Sequence, residues 1–205
     1  AYAAGVRLFV VAEGTEWPGG LAALPGAGVL AVASPLAALQ GLAAQHRAQF
    51  GGPVLAITGS NGKTIVKEWL AQLLAPDEAV CRSPRSYNSQ VGVPLSVWEL
   101  TPGRHTLGIF EAGISEKGEM ARLAAIIQPT EGLFTNLGPA HDAGFASAEE
   151  KLREKLRLFQ GPGFGRLYYC ADQPAVRAAV AELALPGFGW TLHDAPGAAI
   201  HFKLQ

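Results

Sequence analysis

The sequence predicts an α/β protein: a mainly parallel sheet covered by helices on both faces, preceded by part of a smaller α/β domain. Three observations lead there. From Val54 onward, short apolar runs alternate with helical patterns of about 10 to 15 residues, the signature of parallel strands joined by crossover helices. Before Val54 stand two further apolar runs and one helix, closed by Gly51-Gly52-Pro53, and that stop places a boundary between residues 1–50 and residues 51–205. The composition, 49% apolar with 16% charged, supplies a sizeable core and argues against disorder.

Each element has a local reason. Val6 to Ala12 and Gly28 to Ala33 read as buried strands with a Pro/Gly-rich connection. Ser34 is a suitable N-cap with Pro35 at the first helical position, and Leu36, Leu39, Leu42, Ala43, His46 and Phe50 follow at helical spacing. The alternation then runs through strand 54–58, helix 64–74, a short strand 79–81, helix 93–100, strand 106–111 and helix 117–127. It continues with strand 132–136, helix 148–159, strand 167–170 and helix 174–183. At the end, residues 190–192 and 199–202 flank Asp194-Ala195-Pro196-Gly197, which predicts an antiparallel hairpin.

Charge and cysteine usage narrow the function. Sixteen basic against seventeen acidic residues leave no broad electrostatic footprint for nucleic acid or an anionic membrane, so an anionic ligand would have to be bound locally. Residues 17–46 contain no Asp, Glu, Lys or Arg, yet Pro18, Pro25 and Pro35 cut the stretch into pieces too short to span a bilayer. Cys81 and Cys170 lie in neither a metal-type nor a disulfide-dense pattern, which suits a reducing cytoplasm. The first residue is Ala1, and a fragment of a longer chain is the expectation.

The strongest signal is the strand 54–58 followed by Gly59-Ser60-Asn61-Gly62-Lys63-Thr64 and a helix. Glycines let backbone N–H groups converge on a phosphate, and the helix N-terminus adds partial positive charge. Lys63 neutralises phosphate oxygens, and the Thr64 hydroxyl is placed for Mg2+. The loop is a shortened variant of the general pattern, with Ile57 where that pattern has its first glycine. Such a P-loop implies binding of a nucleoside triphosphate but does not fix the reaction.

Ligands in such sheets gather at the carboxyl ends of the strands. Strand 106–110 ends in Glu111-Ala112-Gly113, where a carboxylate could meet a hard cation; strand 132–136 ends in Asn136 and continues to His141, a second candidate metal ligand. The loop 83–94 carries Asn88, whose amide could face a phosphate. Glu149, Glu150, Lys151, Arg153, Glu154, Lys155 and Arg157 make one helix charge-dense, which reads mostly as a solvated face.

Taken in order, Thr58 to Thr64, then Asn88 with Gly92-Val93-Pro94, then Glu111 with Gly113, then Asn136 with His141, resemble the central ATPase domain of the Mur ligases. Within that family the wording of residues 65–70, 86–90 and 110–115 is most similar to the ligases that add D-alanyl-D-alanine to UDP-N-acetylmuramoyl-tripeptide, in the form fused to an alanine racemase. The resemblance implies ATP as substrate and two Mg2+ ions. It places Gly59, Ser60, Asn61, Gly62, Lys63, Thr64 and Asn136 at the nucleotide. It gives catalytic roles to Lys63, Asn88, His141 and Lys155, and metal contacts to Thr64, Glu111, His141 and Lys155. Lys155 matches a family lysine that reacts as a neutral amine with carbon dioxide to give a metal-holding carbamate, with Lys151 the weaker candidate.

The resemblance further implies an acyl phosphate made from the tripeptide carboxylate and ATP, attacked by the D-Ala-D-Ala amine. Residues 1–50 would close the UDP-substrate domain and 51–205 form most of the ATPase domain. The C-terminal ligase domain and any racemase domain would lie outside, leaving this piece inactive alone. A P-loop kinase or GTPase, a ligase for another acceptor and a non-catalytic nucleotide-binding module stand as the alternatives.

Overall fold

A computed structural model describes residues 1–16, 24–138 and 144–203. Strands β1 (Leu8–Ala12) and β2 (Gly28–Val32) pair in parallel as a separate two-stranded sheet. They are not the buried strands the sequence suggests. Leu8 is 81% and Leu30 60% exposed, because two strands shield little surface by themselves and, among the described residues, α1 (Pro35–Arg47) is the one other element in appreciable contact with β1.

Helix α1 starts as expected, with Pro35 in the first turn and the Ser34 hydroxyl accepting the Ala37 N–H at 3.2 Å. It packs on the helices that follow the boundary. Arg47, 4% exposed, donates to the carbonyls of Ile127 and Gln128 at 2.7 and 2.8 Å and to Phe50 O at 2.8 Å.

The remaining strands form one sheet: β3 (Val54–Thr58), β4 (Val80–Arg82), β5 (Leu107–Glu111), β6 (Glu131–Phe134), β7 (Arg166–Cys170), β8 (Gly187–Thr191) and β9 (Ile200–His201). Their order is β4-β5-β3-β6-β7-β8-β9, and every described pair is parallel. The crossovers are α2 (Lys63–Leu74), α3 (Gly92–Trp98), α4 (Glu119–Ile127), α5 (Ala148–Leu156) and α6 (Pro174–Glu182).

Strand alternation divides the core. Val54, Ala56, Phe110 and Phe134 face the large core shared with α1, α3, α4 and α5, whereas Leu55, Ile57, Ile109 and Leu133 face a smaller one under α2. Helices thus lie on both faces. From β3 the chain goes out to β4 on one side and later to β6 on the other, which makes the carboxyl end of β3 a topological switch point.

One expectation needs correction and a second needs refining. The closing segment is no antiparallel hairpin, since Trp190 and Thr191 pair in parallel with Ile200 and His201. The connection reverses twice, at Asp194 (φ 54°) and Gly197 (φ 77°), so β9 returns in the direction of β8. The charge-dense segment around α5 is mostly solvated as expected, with Glu149, Glu150, Arg153 and Arg157 exposed or half-buried, but it also turns three charges inward. Lys151, Glu154 and Lys155 are each 3% exposed. Glu154 accepts the Gly118 and Met120 N–H groups at 2.8 and 3.3 Å, satisfying the uncapped start of α4. The predicted helix to residue 159 ends at Leu156 and tightens into a 3-10 turn, Arg157–Phe159.

Candidate functional site

The loop between β3 and α2 is held from the next strand. The Ser60 N–H donates to Asn136 O at 2.8 Å, the Asn61 N–H to Asn136 Oδ1 at 3.3 Å, and the Thr135 hydroxyl to Asn61 O at 2.6 Å. This closeness requires the first glycine: a Cβ on Gly59, whose φ is 138°, would stand 2.1 Å from Thr135 Oγ1. Gly62 (φ 81°) opens α2 without a side-chain cap, leaving first-turn N–H groups to an anion. Lys63 Nζ folds back on the loop, donating to Gly59 O at 3.0 Å and Ser60 O at 3.4 Å. The Ser60 hydroxyl is buried without a hydrogen-bond partner.

Beside the loop, Glu111 closes β5 with no solvent exposure. Its Oε2 accepts from the Thr64 hydroxyl at 3.1 Å and the Asn88 amide at 3.5 Å. Its Oε1 is an ion-pair partner of Lys67 Nζ at 3.0 Å, in an orientation that makes no hydrogen bond. Asn88 is fixed in turn, because the Gly113 N–H donates to its carbonyl at 2.8 Å and a Cβ on Gly113 would stand 2.9 Å from Asn88 Oδ1.

A cleft of about 580 Å³ opens at this point, lined by Ser60, Asn61, Lys63, Asn88, Lys151 and Lys155 among others. The two lysines are four apart on α5, so one helical face delivers both, and Lys151, the weaker candidate for the family lysine, lines the cleft with Lys155. The described residues therefore bring Lys63, Asn88 and Lys155 to one cleft, with Thr64 and Glu111 in direct contact beside it. Asn136 supports the loop from below. His141 lies outside the described residues.

Glu111 is suited to a hard divalent cation. Its Oε2 lies 3.1 Å from the Thr64 hydroxyl, which puts two oxygen donors side by side next to the phosphate loop, while Oε1 is paired with the Lys67 ammonium. Among the described residues no group of three or more His, Cys, Asp and Glu gathers that could hold a metal, at Glu111 or elsewhere. Mg2+ in phosphate sites typically takes one or two carboxylates and completes its shell with water and phosphate oxygens, so a single carboxylate is sufficient.

Lys67 and Thr135 join the site without being expected from the sequence motifs. For Lys67 there was a signal: it falls one turn after Lys63 on the face of α2 that also carries Val66, Leu70 and Ala71, and a lysine on a buried face needs a partner.

Residues 57–191 match the family profile described as the Mur ligase middle domain. A Bacillus subtilis (strain 168) protein named UDP-N-acetylmuramoyl-tripeptide–D-alanyl-D-alanine ligase is 32% identical over 152 residues, covering 74% of this chain and 33% of its own length. The Mycobacterium tuberculosis (H37Rv) protein of the same name is 40% identical over 155 residues, covering 74% of this chain and 30% of its own length. The fold superposes on MurF from Acinetobacter baumannii with a TM-score of 0.73 at 25% identity, covering 88% of this chain and 39% of that one. MurF from Thermotoga maritima in complex with ADP gives 0.72 at 27% identity, with 80% and 38% covered. The chain spans about a third of the length of these curated relatives. Escherichia coli FolC, at 14% identity and a TM-score of 0.59, shares the fold alone. No helix among the described residues is long and apolar enough to cross a membrane. With the profile matched across most of its length, on a sheet whose switch point carries the phosphate loop, the chain belongs to the Mur ligase family.

Proposed function

We propose that the chain is the nucleotide-binding portion of an ATP-dependent ligase that joins D-alanyl-D-alanine to UDP-N-acetylmuramoyl-tripeptide through an acyl phosphate. The observation carrying this reading is the contact of Thr64 with Glu111 beside a cleft lined by Lys63, Asn88 and Lys155. The substrates are those named for the Bacillus subtilis and Mycobacterium tuberculosis relatives. On this reading residues 1–50 end the UDP-substrate domain, 51–205 form most of the central ATPase domain, and the protein works in the cytoplasm. The C-terminal ligase domain, and an alanine racemase domain where one is fused, belong to the rest of the gene product.

The chain's own groups then divide the work. Backbone N–H groups of Gly59 to Thr64 and the start of α2 bind the ATP phosphates, and Asn136 keeps that loop in shape. Lys63 leaves its loop carbonyls for the transferred phosphoryl group, whose growing charge it stabilises. Asn88 donates its amide to the phosphoryl oxygens. Thr64 and Glu111 would hold one Mg2+, and His141 with Lys155 a second. When bound, the ions neutralise phosphate charge as the tripeptide carboxylate attacks. Addition of carbon dioxide to the neutral Lys155 amine forms an N–C bond with loss of one proton, replacing a cation by an anionic oxygen donor. Catalysis is positioning and charge stabilisation, with no covalent protein intermediate.

The test is the complete gene product assayed for phosphate release. Release that needs the tripeptide nucleotide and D-Ala-D-Ala together supports the proposal. Release with neither substrate, or with a different amino acceptor only, sinks it. The 205-residue chain by itself is expected to release no phosphate under the same conditions.

A further inference from the structure

Lys67 is among the largest fully buried side chains of the described residues, with no solvent exposure. Nothing in the proposed chemistry uses it. A buried ammonium is costly unless every proton and its charge are answered, so its partners reveal what it serves. It donates to Ser83 O at 2.7 Å and to Arg85 O in a very short contact, and it sits 3.0 Å from Glu111 Oε1 and 3.1 Å from Glu68 Oε1. Three segments distant in sequence therefore meet on one cation: the helix of the phosphate loop, the loop after β4, and the end of β5.

The two outer segments carry site residues. The loop after β4 leads from Ser83 to Asn88, and its Ser83 hydroxyl also accepts the Glu111 N–H at 3.1 Å. Glu111 presents Oε1 to Lys67 and Oε2 to Thr64 and Asn88. A carboxylate gripped by one oxygen has its other oxygen aimed, which is how an outer partner orients a metal-binding group. Glu68, about a third exposed and bridged to Arg82 at 3.0 Å, holds the ammonium from the solvent side.

We propose that Lys67 is a positioning residue: its ammonium clamps Glu111 by one carboxylate oxygen and the 83–85 loop by two carbonyls, so that Glu111 Oε2 faces both the Thr64 hydroxyl and the Asn88 amide. This rests on the reading of Glu111 as a metal-binding group, and the test separates the two.

The experiment measures ATP affinity of the complete gene product with and without Mn2+, taking the ratio as the divalent-dependent gain, and the Tm of each apo protein. Variants are Glu111→Gln, Lys67→Met and the double variant. If Glu111 binds the ion, Glu111→Gln loses the gain. If Lys67 acts through Glu111, Lys67→Met reduces the gain by about ten- to a hundredfold, the range for outer partners of metal ligands, and leaves divalent-free ATP affinity unchanged. In the double variant Lys67→Met then adds nothing to Glu111→Gln, the non-additivity expected of coupled neighbours. A folded Lys67→Met protein with the full gain overturns the clamp while Glu111→Gln still tests the metal reading. A gain retained by Glu111→Gln overturns that reading and the clamp with it. Should Lys67→Met not fold, apo hydrogen exchange of amides 83–91 is compared between Glu111→Gln and the double variant. Faster exchange in the double variant supports the clamp, and equal exchange overturns it.

Discussion

The Thr64 hydroxyl donates to Oε2 of Glu111 at 3.1 Å, joining residues 47 apart in the chain. The two lie on neighbouring elements because β3 and β5 are adjacent and parallel, so the end of β5 arrives beside the start of α2. If this pair holds a cation at the ATP phosphates, Thr64→Ala removes a ligand without altering the fold. In the complete gene product, kcat/KM for ATP should fall by about a hundredfold, comparable to loss of one well-placed charge-stabilising group. Thr64→Ser keeps the hydroxyl and should restore most of it. Equal defects in both variants would point to methyl packing instead.

Gly59 is the least replaceable glycine of the loop. Alanine there meets Thr135 Oγ1 at 2.1 Å and the Asn136 backbone at 3.0 Å, and must also adopt a φ of 138°. Gly59→Ala should cost about 1–3 kcal/mol in urea unfolding, from strain and overpacking, and weaken ATP binding by displacing the loop. Gly41, in α1 with nothing within 4 Å of its added Cβ, is the opposite case. Gly41→Ala should stabilise by about 0.5–1 kcal/mol through helix propensity.

How much of this was legible depended on whether a feature was local. The phosphate loop could be read because strand, glycines, lysine and helix are consecutive, and the parallel sheet because its period repeats. The partners of buried charges could not. Nothing near Lys151 in sequence says that α5 turns it with Lys155 toward Asn88, and nothing near Glu154 says that it caps α4. The parallel β9 was missed for a related reason: a Pro-Gly turn signals one reversal, while the second, at Asp194, depends on contacts made by Thr191 and Asp172. The sequence signal that did exist for Lys67, a cation on an apolar helix face, identifies a need for partners without naming them.

Arg47 binds the helix before the proposed boundary to the layer after it. Its guanidinium answers three carbonyls, two of them at the C-terminal end of α4, and burial pushes its pKa below the ordinary value. Truncation would leave those carbonyls unpaired beside a cavity. Arg47→Ala should therefore lower stability by about 3–5 kcal/mol, the scale for breaking a buried charged network. Arg47→Lys should recover little, since one ammonium cannot reproduce the planar fork. Denaturant unfolding followed by tryptophan fluorescence reads both. A loss below about 0.5 kcal/mol, the usual range of an inconsequential surface change, would show that α1 is only loosely attached.

Asp172 governs the last crossover. Its carboxylate accepts the Leu192 N–H at 2.8 Å and the Thr191 hydroxyl in a very short contact; these two bonds hold its pKa below the usual carboxyl range. Thr191, fully buried, uses the same oxygen to accept the N–H groups of His193 and Ala195 at 3.1 and 2.9 Å. The charge on Asp172 thus orders the double reversal that lays β9 parallel to β8. A carboxyl with a depressed folded pKa contributes stability above its unfolded pKa of about 4 and loses it as pH falls through the lower folded value. Asp172→Asn should consequently lower Tm at neutral pH. The difference from the unsubstituted protein should shrink as pH drops below about 4, where both carry a neutral group. Amide exchange at Leu192, His193 and Ala195 should quicken in the variant at neutral pH. A Tm difference that stays constant down to acid pH would assign the loss to altered packing and remove the charge from the account.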